Sequence, residues 1–385
     1  MSNPDIKTAR RQTEASRRAV FDLSTEFWAG PPGWVLVLLM TAIGVAAIIF
    51  SYYQGFDSRY GETSLSSQTE SSAIGSPSDV SGGLVLDGFR SSIDGILLSA
   101  DNWWKYFAVV IDNYTESRPA AGITAAPLVI ESPVEGGITR LLVIFSDSFD
   151  LRRIGPVRSA RPYFVEWSQE YGAVLVHVGG SPLALKMLAG SGRYRHVNEM
   201  SWGGYFWRDR QRSAPHNVYT SADLLNQSLK EFGEFNWSGD NDRPFKQGGS
   251  EGRPAGEPLI TKLTIDYSVS NYFVVWDYDQ TDNIYKRYQG GGLVRDENGQ
   301  AVSADNVIVQ YTDIKTIDSI GRKDIRTIGT GEALVMRDGR VIKARWLKEG
   351  TGRTRFLFPD SNEEIPLNVG TTWIQVVAEN TPVEY

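Results

Sequence analysis

Arg140, Arg153, Arg158, Arg161 and His177 fall within one stretch, residues 135–182, and Arg212, His216 and Asn217 follow in the segment RSAPHN. A guanidinium is a permanently charged planar fork that matches the oxygens of carboxylates and phosphates. An imidazole adds a group that takes or gives a proton near neutral pH. This collection predicts a site for an anion, with Arg140, Arg158, Arg161, His177, Ser181, Arg212, His216 and Asn217 as its ligand-binding set. The competing expectation is that the arginines pair with Glu131, Glu135, Glu166 and Asp150 and lock the fold. So many cations at one junction would repel one another without an anion, which favours the binding site.

The same residues admit acid–base chemistry. His177 or His216 would serve as general base, Glu135 as acid or orienting group, and the arginines would stabilise charge developing in a transition state. Glu131 and Glu135 together resemble a glycosidase carboxylate pair, although salt bridges to the arginines are the plainer expectation. No nucleophile elbow, zinc motif or kinase signature accompanies them. The chain has no cysteine and three histidines. Thiolate catalysis, disulfides, iron–sulfur clusters and a lipidated-cysteine anchor are excluded, and no metal or cofactor is expected. Residues 296–299 (DENG) lack the spaced oxygens of a calcium loop and read as a turn.

Four elements must position these groups. Branched apolar runs at 138–145 and 173–178 predict buried strands. Gly155-Pro156 reads as a helix start, with Val157, Ala160, Tyr163, Phe164 and Trp167 at helical spacing, which would set Arg158 and Arg161 one turn apart. Ser181-Pro182 repeats the device for a second helix carrying Leu183, Leu185, Met187 and Leu188. Two helix N-termini would then open beside strand ends, a setting that favours anions. Further strands are predicted at 106–111 and 128–131, and a helix from Ser221 or Asp223 through Lys230. The aromatic segment 193–217 offers Trp202 or Trp207 for stacking on a sugar, or carries a small core of its own.

The sequence predicts an α+β protein in six parts: a cytoplasmic tail (1–33), a transmembrane helix (34–53), a flexible Ser/Gly linker (54–83), an α/β sheet domain with helices (84–235), a second linker (236–258) and a mostly β domain (259–385). Residues 34–50 are apolar or small and uncharged, and with Tyr52 and Tyr53 they approach the roughly 20 residues that span a bilayer. Basic residues at 7, 10, 11, 17 and 18 place the N-terminus in the cytoplasm and the rest outside, as an uncleaved signal anchor. Beyond residue 258, strands are predicted at 261–267, 272–278, 284–288, 307–311, 333–337, 341–346, 353–358 and 373–377, with Asp338-Gly339 as a hairpin turn. A hydrophobic content of 41% suits a globular core, and the formal charge of −7 argues against a nucleic-acid partner.

The chain resembles a bacterial extracytoplasmic family called YerB-like. The resemblance rests on VEGGITR (134–140), IGPVRSARPYF (154–164), His177 with GGSP (179–182), and Arg212 through APHN to Tyr219. It continues in NVIVQ (306–310), TIGTGEA (327–333) and GTTWIQVV (370–377). It implies two consecutive extracytoplasmic domains of unknown function, from about residue 104 to the end, and brings no catalytic assignment. Many relatives are lipoproteins, whereas this sequence offers a transmembrane anchor.

The leading functional expectation is a membrane-tethered module binding an anionic envelope polymer or small anion. The alternatives are an envelope hydrolase or transferase, and a scaffold recruiting proteins through the β-rich half.

Overall fold

A computed structural model describes residues 91, 93–96 and 105–385, apart from 147–148, 191–193, 233–244, 249–255 and 268. The predicted tail, transmembrane segment 34–53, Ser/Gly linker and most of the 236–258 linker lie outside the described residues. Among the described residues, no helix is long and apolar enough to cross a membrane.

The expected α+β class is corrected to a mostly β one. Among the described residues, twenty strands stand against three α-helices of nine, eight and seven residues and a few 3-10 turns. Ten strands form one mixed sheet. From the first half come β1 (Tyr106–Asp112), β2 (Leu128–Pro133), β3 (Thr139–Ser146), β4 (Val174–His177) and β5 (His196–Asn198). From the second half come Asn306–Thr312, Gly329–Arg337, Arg340–Lys348, Arg355–Leu357 and Thr372–Ala378. The two sets join where Thr372–Ala378 runs parallel to both Asn306–Thr312 and β2. Local apolar runs reveal each strand, but such a pairing depends on residues more than 240 positions apart, as in Thr372 with Leu128.

Alternation along the strands fills two cores. Phe107, Val109 and Ile111 of β1 face a second sheet that contributes Leu263, Ile265, Trp276 and Tyr285. Ala108 and Val110 face the opposite core, with Phe164 and Trp167 of α1 (Pro162–Glu170) and Ala184 and Leu188 of α2 (Pro182–Ala189). A sheet buried on both faces needs apolar residues at every position, which is why β1 and β3 read as continuous runs. The third helix, α3 (Ala222–Ser228), is capped by Ser221, whose Oγ accepts from the Leu224 N–H at 3.3 Å. Asp338 and Gly339 both have positive φ, as a two-residue hairpin turn between Gly329–Arg337 and Arg340–Lys348 requires.

Gly155-Pro156 does not start a helix. The segment after it is extended: Val157 N donates to Val218 O at 2.7 Å and Arg158 N to Val110 O at 2.8 Å, and Ala160 bridges Gly180. Gly155 has φ 142°, and a Cβ there would lie 2.8 Å from Val218 O. The helix begins only at Pro162, with Arg161 as its N-cap residue. The proline rule therefore applies one proline later, and Arg158 and Arg161 sit on extended chain rather than one helical turn apart.

Candidate functional site

An open cleft of about 570 Å³ lies where β1 ends, where α1 and α2 begin, and against the turn after the strand Ile314–Thr316. Glu135, Arg140, Arg158, Arg161, Ser181 and His216 all line it. Six of the predicted groups are thus gathered from four separate chain segments.

Asp112 ends β1 opposite Arg140 of β3 and is 1% exposed. Its Oδ2 accepts from His216 Nδ1 at 2.6 Å and lies 3.0 Å from Arg158 Nε, a close ion pair without an aligned hydrogen bond. The His216 ring stacks on Tyr114, 4.9 Å between centroids and 8° from parallel. With Nδ1 donating to a buried carboxylate, the ring's orientation is fixed and Nε2 is the atom left for the cleft.

Arg161 is used differently. Its Nε and Nη2 each donate to Glu135 at 2.6 Å, and Nη1 donates to Ala160 O at 2.8 Å. Burial raises the Glu135 carboxyl, but the Arg161 hydrogen bonds and charge outweigh it and hold the group below its ordinary range. Glu135 belongs to a short turn in which Gly136 and Gly137 both have positive φ.

Among the described residues Arg140 has no carboxylate of its own. It is 4% exposed, Nη1 donates to Ser159 O at 3.0 Å, and Nε has no hydrogen-bond partner. Burial, then the charge of Arg161 and, more weakly, Arg158, pull its guanidinium down to about 10, with Asp112 opposing. A buried cation so placed is costly unless an anion reaches it. Beside it, Ser181 caps α2 by accepting from Ala184 N at 3.3 Å, as predicted. Both helix N-caps, Arg161 and Ser181, therefore face the cleft.

Three predicted members do not line it. His177 is fully buried, with Nδ1 2.6 Å from Gly179 O and Nε2 3.1 Å from His196 Nδ1. With both ring nitrogens engaged it packs as a core histidine, and burial lowers its pKa to about 4. Arg212 donates to Ser117 O and Pro119 O, each at 2.7 Å, and fastens two loops. Asn217 bonds Arg208 and the Asp209 carbonyl. Arg153 pairs with Asp209 and Glu297. The predicted stacking residues are occupied as well, Trp202 on Phe232 and Trp207 on Tyr219. Glu131 is fully buried against Arg287, which removes it as a catalytic carboxylate.

Sequence reasoning missed Asp112, Tyr114, Ile320 and Arg322. The Asp-Asn pair closing an apolar run was the available signal for Asp112. Nothing local points to Ile320 or Arg322, which come from the second half of the chain.

Residues 100–234 match the family described as "Protein of unknown function (DUF3048) N-terminal domain", and residues 263–374 match its C-terminal domain. A Bacillus subtilis protein described as "Putative lipoprotein YerB" is 34% identical over 277 residues, 71% of this chain and 81% of the relative. The chain belongs to the YerB-like family. The crystal structure of YerB protein from Bacillus subtilis is similar at TM-score 0.66 and 30% identity, covering 77% of this chain and all of that one. The YerB-like match thus takes in both halves of the ten-stranded sheet and all the residues that line the cleft.

Proposed function

We propose that the protein is an extracytoplasmic, membrane-associated binding module that holds an anionic group of an envelope polymer or small ligand in this cleft. Arg140 carries the reading: a buried guanidinium with no carboxylate of its own among the described residues, beside Arg158 and two helix N-termini. The extracytoplasmic setting is supported by the lipoprotein description of the relative and by the apolar composition of residues 34–53.

Arg140→Met separates binding from folding. Methionine keeps most of the length and removes a buried charge, so the urea midpoint is expected to stay or rise. Affinity for phosphate- and carboxylate-bearing envelope fragments, read by calorimetry, is expected to fall roughly 10- to 100-fold, as for a charged hydrogen bond lost. If the native protein binds none of these fragments, or if the variant binds as well as the native protein, the proposal fails.

A second reading, hydrolysis or group transfer, is favoured by the Asp112–His216 contact, since a histidine steered by a buried carboxylate is suited to general acid–base work. Under it, His216→Gln lowers kcat on envelope polymer about 10²- to 10⁴-fold. An envelope digest in which the native protein releases no product removes this reading and leaves the binding module.

A further inference from the structure

The cleft holds more than a set of cations, because it also contains a carboxylate fixed in place. Three guanidiniums, Arg140, Arg158 and Arg161, face two buried or half-buried carboxylates, Asp112 and Glu135. Among these five inner groups one guanidinium charge, that of Arg140, is left in excess. At the rim Arg322 is paired with Asp318, and Glu116 adds an exposed negative charge. All three Arg161 nitrogens are already engaged, two by Glu135 and one by Ala160 O. An incoming anion therefore meets Arg140 as its uncompensated cation, beside an Arg158 already paired with Asp112 and with the Glu135 carboxylate lining the same wall.

We propose that Glu135 makes this cleft selective for a singly charged oxyanion, a phosphodiester or a carboxylate, against the doubly charged phosphomonoester. This rests on the anion-binding reading above and adds the charge of the ligand to it. One negative charge balances the excess. A second would sit against Glu135 with no cation left to meet it, because Glu135 occupies the Arg161 fork. Glu135 is thus the specificity-determining residue, and Arg161 serves mainly to hold it.

The test uses the full-length protein and three probes at pH 8: dimethyl phosphate, methyl phosphate and acetate. At that pH methyl phosphate carries close to two charges, since the second ionisation of a phosphomonoester lies near pH 6. The native protein is expected to favour dimethyl phosphate or acetate over methyl phosphate, and the stronger of those two identifies the source of the charge. In Glu135→Gln, which keeps size and one acceptor, the ratio of methyl phosphate to dimethyl phosphate affinity is expected to rise about tenfold or more. Glu135→Ala gives the same comparison should the glutamine variant fold poorly. A native preference for methyl phosphate, or a ratio unmoved in both variants, overturns the proposal while leaving anion binding intact. Failure of the native protein to bind any of the three probes overturns this proposal, whereas the anion-binding reading is judged by envelope fragments and Arg140→Met.

Discussion

Arg287→Met is expected to remove about 3–5 kcal/mol of stability, the usual cost of breaking a buried ion pair from one side. Arg287 and Glu131 are 1% and 0% exposed, with Arg287 Nη2 at 3.0 and 2.9 Å from the two carboxylate oxygens. The guanidinium also lies 4.7 Å from the centroid of Trp373 and 5.4 Å from that of Trp276. Glu131 in turn accepts from Thr139, Asn113 and Trp373. Methionine would leave that carboxylate charged, buried and short of its only cation among these contacts. Urea unfolding is the measurement: the midpoint should drop with the slope unchanged. An unfolding free energy within about 0.5 kcal/mol of native, the range of ordinary surface substitutions, would show that the pair contributes little.

Acid should weaken the fold through His177. Its pKa is about 4 in the folded chain against 6.5 for an ordinary histidine, with burial the first cause and the charge of His196 adding to it. The carbonyl of Gly179 only accepts, so Nδ1 carries the proton and Nε2 accepts from His196 Nδ1. A second proton on His177 would set two N–H groups against each other. The sign follows from proton uptake: between pH 6.5 and 4 the unfolded chain binds a proton that the folded chain refuses, so stability falls with pH. Above 6.5 neither state binds it and the contribution is flat. At roughly 1.4 kcal/mol per pKa unit, His177 alone accounts for about 3 kcal/mol lost by pH 4. His196 is also lowered by burial and acts in the same direction. His177→Gln, which can still donate to Gly179 O, is expected to be less stable at neutral pH but to show a shallower decline between pH 6.5 and 5. Parallel curves for native and variant would rule the mechanism out.

Much of the cleft was legible because its residues are chemically conspicuous. Arginine in a stretch bounded by buried strands is costly to hold, and Ser181-Pro182 announces a helix cap that the structure contains. His177 and Arg212 misled for opposite reasons. A histidine closing an apolar strand reads the same whether it points to a ligand or into the core, and here both ring nitrogens are used internally. Arg212 donates its hydrogen bonds to two backbone carbonyls, with Glu297 a longer ion pair at 3.6 Å, and backbone acceptors leave no trace in side-chain composition. The helix start was misplaced because Gly155-Pro156 and Arg161-Pro162 look alike locally; what decides is that the chain between them bonds to Val110 and Val218 on either side. Most strands of the second half were legible from alternation and turn residues. Their joining with β1–β5 into a single sheet was not, since pairing partners such as Gln375 and Glu131 carry no mutual mark in the sequence.

The strand Thr372–Ala378 gives that sheet an order of assembly. As the chain leaves the ribosome, β2 and Asn306–Thr312 are made long before the strand that must lie between them. Each therefore keeps an open edge, ready to pair with a neighbouring nascent chain, until residue 378 is out. A holding chaperone that covers those edges until the strand arrives should therefore raise its yield.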